Sequence, residues 1–323
     1  MEKKNSLRLI ILGLFITIVF TAILISYGWV VRGPGGTETE SSIVWGIVFT
    51  ESEDNWQASL QNSFESAAKS AGIKVISIYA DRSQNSQITA IRSLIAFRAD
   101  VISFSPIVSS GWENVMSEVC SAGIPILVFN KNISERETPM PIHYIGYDYI
   151  RAGELLAANI LNDIPEDAIL AELCGTTSAS TVLEISRGLR NVLHTDRRWN
   201  IDFSVNTDYM QSLSKEMAGR LLNNDWSVDV VICHSDAITL GAIAAIEEAG
   251  LTPGEDILVY AIGGSPEVIR LVEAGKVNCL IQCDLTDIGT EAATCVRELM
   301  DNEAISQPAT AFLPLTTLNA YER

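Results

Sequence analysis

The chain has 323 residues, is 47% hydrophobic and carries a formal net charge of −18. The first 32 residues hold Lys3, Lys4, Arg8 and Arg32 against one acid, Glu2, so they contribute +3 and the remainder carries −21. Such a surface repels phosphate backbones and excludes nucleic acid as a partner, and solubility is reason enough for the acidity.

The N-terminal stretch reads apart from the rest. A basic stub, 1–8, precedes residues 9–31, 23 residues without a charge, and Arg32 follows. That run is long enough to cross a hydrocarbon layer of about 30 Å. With the basic residues first, the N-terminus stays in the cytoplasm and the rest is exported. The apolar run exceeds that of a cleaved signal and lacks a good small-x-small site, so it reads as a single-pass signal anchor in the cell membrane. Residues 32–42, with Gly33-Pro34-Gly35-Gly36, form a tether.

From residue 43 the pattern alternates. An Ile/Val-rich run, 43–49, predicts a strand buried on both faces. A polar turn follows, and a helix opens at Asn55-Trp56-Gln57 and closes at Gly72. Strand 74–79 leads to a helix capped by Asp81 and running to Phe97. Strand 101–104, helix 110–122, strand 124–129 and a short strand 143–146 come next. The alternation restarts with helix 149–161, strand 168–173, helix 178–193, strand 203–205, helix 210–222, strand 228–233 and helix 236–249. It ends with strand 257–262, helix 266–274, strand 277–281, helix 284–300 and one last strand, 312–318. Strands separated by single helices imply right-handed crossovers and parallel sheets.

Six cysteines make no C-x-x-C pair, and histidine is scarce, so a zinc site is disfavoured and no metal or cofactor is expected. Export permits a disulfide, with Cys174 and Cys233 the pair to test first, but their positions suit buried free thiols. No nucleophile elbow, phosphate-binding Gly-rich Lys loop, H-E-x-x-H or dinucleotide fingerprint occurs. His234-Ser235-Asp236 holds the residue types of a catalytic relay, but adjacent residues do not easily form its geometry. The chain therefore reads as a non-enzyme.

Polar and aromatic residues instead gather at strand ends. They include Asp54, Trp56, Gln57, Ser105, Asn130, Lys131, Tyr209, Ser235 and Gln282. Ligands of open α/β sheets bind beyond the carboxyl ends of the strands. Two sheets facing each other by those edges would enclose a cleft suited to a small polar ligand such as a sugar.

Several stretches then carry a resemblance. They are SQNSQITAIRSLIAFRADVISFSP (83–106), SSGWENVMSEVCSAGIPILVFNKNI (109–133), YIGYDYIRAGELLA (144–157), CGTTSAS (174–180), HSDAITLGAIAAIEEAGLTPGEDILVYAIGG (234–264) and IQCDLTDIG (281–289). From residue 43 onward the chain resembles the type I periplasmic-binding-protein family, in particular the ribose/galactofuranose group of sugar receptors of ABC transporters. The resemblance implies two doubly wound parallel-sheet α/β lobes joined by a three-stranded hinge. The first lobe would be 43–146 plus 284–311 and the second 147–283 plus 312–323, closing on a ligand. It implies a monosaccharide ligand, handed to an ABC permease or shown to a sensor kinase.

By the same resemblance, Trp56 and Tyr209 match aromatics that stack on the sugar. Gln57 falls where Arg or an aromatic is usual, Asn130-Lys131 where Asp-Arg is usual, Ile185 where an Arg binds ligand, Ser235 where Asn stands and Gly263 where Asp stands. Two Asp and at least two Arg of the sugar clamp are missing. The alternative is a fold-retaining accessory protein of a kinase or permease that binds no sugar. A repressor related to the lactose repressor shares this core, but an apolar span stands here in place of a basic DNA-binding headpiece.

Overall fold

A computed structural model describes residues 42–50, 56–134, 139–164, 168–195, 200–223, 227–283, 288–301 and 309–320. The apolar span 9–31, its tether up to residue 41 and Asp54 lie outside the described residues. Among the described residues, no helix is long and apolar enough to cross a membrane. Residues Ile43–Arg323 form one compact unit.

The first sheet is built from β1 (Val44–Thr50), β2 (Lys74–Ala80), β3 (Val101–Phe104), β4 (Ile126–Phe129), β5 (Ile142–Gly146) and β11 (Thr310–Phe312), in the order β11-β5-β4-β3-β1-β2. All its pairings are parallel. Parallel strands joined by helices need cover on both faces, and the alternation of side chains supplies it. Trp45, Ile47, Phe49, Leu127 and Phe129 pack under α1 (Trp56–Ser70) and α9 (Ile288–Asp301), through Leu60, Phe64, Ala292 and Val296. Val48, Ile102, Phe104 and Val128 face the other way, under α2 (Gln84–Ala96) and α3 (Glu113–Ser121).

The second sheet repeats the plan with β6 (Leu170–Cys174), β7 (Ile201–Asn206), β8 (Val230–Cys233), β9 (Leu258–Gly263), β10 (Cys279–Gln282) and β12 (Thr316–Asn319), in the order β12-β10-β9-β8-β6-β7. On one face lie α4 (Tyr149–Asp163) and α5 (Ser180–Leu193). On the other lie α6 (Gln211–Leu222), α7 (Asp236–Glu248) and α8 (Pro266–Glu273). Helices α4 and α5 approach closely through glycines. A Cβ on Gly153 would sit 2.4 Å from the Ile185 carbonyl oxygen, and one on Gly188 2.1 Å from that of Ile150.

The chain passes between the sheets after β5, between β10 and α9, and between β11 and β12. The single last strand expected over 312–318 is in fact two strands in different sheets. Pro314 has no N–H for a ladder, and Leu313 donates to Gly146 O at 2.8 Å as the chain leaves the first sheet. β12 then returns antiparallel to β10, the one antiparallel pairing among the described strands. A second expectation is also corrected. Ser83, not Asp81, caps α2: its Oγ accepts from Ser86 N, while Asp81 accepts from the Ser83 hydroxyl at 2.6 Å. Asp81 stands two residues before the cap position, too far from the first turn to reach it.

All six cysteines are free. Cys233 is in register with Leu173, so Cys174, the next residue along, points to the opposite face of the sheet. Alternation alone thus separates the pair singled out for a disulfide.

Candidate functional site

The carboxyl ends of both sheets meet across a cleft, and the lobes touch there. The Arg82 guanidinium donates to Asp208 O at 2.5 Å. Asn132 N donates to Ser180 Oγ at 2.8 Å, and Ser109 N to Ser178 O at 2.9 Å. The Lys131 ammonium lies 4.1 Å from the centre of the Tyr209 ring. Each contact joins the first lobe to the second, so the described arrangement is a closed one.

Lys131 and Tyr209 are therefore brought together, but against each other. Tyr209 follows β7 with φ +59°, in a turn whose two residues Asp208 and Tyr209 are both left-handed. Its ring covers Gly175, where any Cβ would fall 1.9 Å from the ring. Its hydroxyl meets Thr181 Oγ1 at 2.5 Å, and burial pushes its pKa up. A glycine at the end of β6 is thus what lets an aromatic lie over that strand end.

Asn130 is 8% exposed and also left-handed, at φ +62°, a conformation asparagine tolerates. Its N–H donates to Ile145 O, its carbonyl accepts from the Tyr144 hydroxyl at 3.0 Å, and its side-chain oxygen accepts from the Tyr149 hydroxyl. Tyr149 opens α4 of the second lobe, so Asn130 ties the end of β4 to the hinge. Burial holds the Tyr144 and Tyr149 phenols neutral, well above their ordinary pKa.

Ser235 is the N-cap of α7, its hydroxyl accepting from Ile238 N. Asp236 accepts from Gly264 N and Ser265 N at 3.0 and 3.1 Å. Its carboxylate fills the space at Gly263, where a Cβ would lie 2.3 Å from Asp236 Oδ1. His234 points the other way, Nε2 to Glu172 Oε1 at 3.0 Å. The three neighbours diverge, so they form no catalytic relay. Ser105 is half-buried, and its carbonyl accepts from Gln87 Nε2 at 2.8 Å. Gln282 is half-buried at the end of β10, in register with Gly263. Ile185 is fully buried between α5 and the second sheet, with no face to the cleft. Trp56 and Gln57 open α1 just past β1.

Three residues that sequence reasoning missed shape this region. Gln87, fully buried on α2, donates to Thr50 Oγ1 and Ser105 O and accepts from Ile107 N, so it holds two cleft loops together. Its signal was a lone polar residue on the apolar stripe of a helix. Glu184, half-buried on α5, has its pKa raised to about 7 by burial and then by the Asp148 carboxylate at the hinge. Glu172 is buried within β6 and accepts from Ser204 Oγ at 2.9 Å, from His234 and from Ser186. Burial pushes its pKa up, but those hydrogen bonds outweigh it and bring the value to about 2.

Glu172, Cys174 and His234 are close enough together to suggest a metal site. The chemistry argues otherwise. A metal on Nε2 would move the His234 proton to Nδ1, which is buried with no partner, whereas histidine ligands rely on an acceptor there. Burial also pushes the Cys174 thiol up to about 12. The cluster is a hydrogen-bonded core network.

Two doubly wound lobes, three crossings and a cleft at facing strand ends define a two-lobed α/β binding protein. Residues 45–304 match the family described as periplasmic binding protein domain, and the chain belongs to that family. It is 30% identical to the galactofuranose-binding protein of Escherichia coli (strain K12) over 235 residues, covering 72% of this chain and 74% of that one. It is 23% identical to the ribose import binding protein of Bacillus subtilis (strain 168), over 90% of this chain and 91% of that one. Among solved structures, one from Mycobacterium smegmatis in complex with β-D-fucofuranose aligns with a TM-score of 0.80 and 27% identity, over 86% of this chain and 92% of that one.

Proposed function

We propose that this chain is an extracytoplasmic solute-binding protein that captures a monosaccharide by hinge closure. The observation that carries the reading is the cleft itself, with Tyr209 laid over Gly175 and loops of both lobes in contact around it. The relatives named for galactofuranose and ribose support a sugar as the ligand. Trp56, at the start of α1, supplies a second stacking face, and Asp54, Gln57, Ser105, Asn130, Lys131, Ser235 and Gln282 complete the polar lining. Residues 9–31 anchor the protein in the cell membrane as a signal anchor, with the two lobes outside. The closed form is presented to an ABC permease or to a sensor kinase.

A thermal-shift screen of the detergent-solubilised full chain against monosaccharides tests the reading. A stabilising sugar is expected, and Trp56→Ala should abolish its shift; an unchanged shift would rule out this pocket.

One observation favours a second reading, an accessory protein that binds no neutral sugar. Lys131 already lies over the Tyr209 ring, where a sugar would stack. Native mass spectrometry decides between the two: a retained sugar supports capture, and a bare chain across the screen supports the accessory role.

A further inference from the structure

A cavity of about 680 Å³ opens on the flank of the second lobe, between α5 and β7. β7 is the last strand of its sheet, so this side is open. Three cationic or titratable side chains line the cavity, Arg187, Arg190 and His194, at the helical spacing that puts them on one face of α5. No acid is among its described lining residues; Glu154 accepts from the lining Asn191 at 3.2 Å, and Glu172 lies beneath the floor, fully buried and satisfied by Ser204, Ser186 and His234. Arg190 reaches that carboxylate only at 3.4 Å and Ser186 O at 3.0 Å, which fixes the guanidinium and uses two of its five donors. Arg187 is exposed and has no ion pair among the described residues.

The charge stands against the rest of the chain. Lys and Arg number 22 against 40 Asp and Glu, yet residues 187–198 contain Arg187, Arg190, Arg197 and Arg198 with Asp196 as the one acid. The same helix also offers apolar surface one turn before Arg187: Val182 is buried, and Leu183 is 53% exposed beside it.

We propose that this flank cavity is a second binding site, for a small molecule carrying a phosphate monoester. A planar guanidinium presents paired N–H donors that match phosphate oxygens, and two arginines on one wall suit a group of nearly two negative charges. The cavity volume falls within the range of small-ligand sites, and Leu183 offers the remainder of the ligand an apolar seat. None of the residues proposed for the cleft lines it, although Tyr209 of the cleft packs against Cys174 and Val182 of its wall.

Calorimetric titration of the full chain at low ionic strength, with glucose 6-phosphate, inorganic phosphate and glucose as probes, tests the proposal. Both phosphate probes should bind saturably. Arg187→Gln, an exposed change that leaves the fold alone, should weaken them about tenfold, as loss of one charged hydrogen bond implies. Trp56→Ala should leave them unchanged. Phosphate binding that disappears in Trp56→Ala belongs to the cleft and overturns the proposal. So does binding unaltered by Arg187→Gln, or no saturable binding of either phosphate probe.

Discussion

Ser180→Ala is the sharpest probe of how the lobes close. Ser180 is the first residue of α5 and 8% exposed, and its hydroxyl accepts from Asn132 N of the other lobe at 2.8 Å. In the open form that the proposed closure implies, that N–H turns to water, so the bond stabilises closure alone. A hydrogen bond between neutral partners contributes about 1 kcal/mol net. Its loss should therefore lower the closed-to-open ratio about fivefold, and weaken a closure-coupled ligand by up to the same factor. Spin labels on Cys120, exposed on α3, and on Gly219→Cys, an unobstructed site on α6, report the distance between lobes by double electron–electron resonance. Ser180→Thr, which keeps the hydroxyl, should restore the wild-type distribution. An unchanged closed population in Ser180→Ala would refute the argument. It would mean that the Arg82–Asp208, Ser109–Ser178 and Lys131–Tyr209 contacts and the hinge strands hold the lobes without it.

Stability should also depend on pH through two carboxyls with opposite signs. Glu172, depressed from 4.5 to about 2, stabilises the fold above pH 4.5 and loses that contribution as pH falls towards 2. Glu184, raised from 4.5 to about 7, stabilises the fold below pH 4.5 and loses that contribution as pH rises through 7. Thermal unfolding followed by circular dichroism should show Glu184→Gln flattening the fall between pH 4.5 and 7 while leaving the acid limb intact. Gly188→Ala should destabilise the second lobe by about 1–3 kcal/mol, the range for overpacking, because its methyl would sit 2.1 Å from the Ile150 carbonyl oxygen of a packed helix. Urea unfolding measures this, and a midpoint equal to wild type would show that α4 and α5 can part without cost.

Much of the fold was legible in the sequence because its signals are local. Apolar runs of 4–7 residues alternate with helical spacing, and Gly72, Gly123 and Gly250 close helices in the left-handed conformation that glycine adopts freely. What failed did so at the sheet boundaries. Residues 312–318 read as one strand because nothing local says that Phe312 pairs with Gly146 while Thr316 pairs with Gln282 of the other sheet. Ser83 displaced Asp81 as a cap by a shift of two residues, within the ordinary uncertainty of helix ends.

The site divides along the same line. The sequence by itself determined which residues stand at strand ends, since that follows from period and turn chemistry. It marked Asn130, Lys131, Tyr209 and Ser235 for the cleft but could not say what each one touches. Only the tertiary structure decided that Lys131 covers Tyr209, that Asn130 gives its side-chain oxygen to Tyr149 and that Ser235 caps a helix. It also brought Glu172 of β6 to His234 past β8, and turned Arg187 and Arg190 onto an open flank. Glu172 and His234 lie 62 residues apart in the chain, Lys131 and Tyr209 farther still, and such contacts depend on which strands become neighbours and which face each side chain takes. A one-residue change of register would reverse the face, and that choice is made by the packed sheet as a whole.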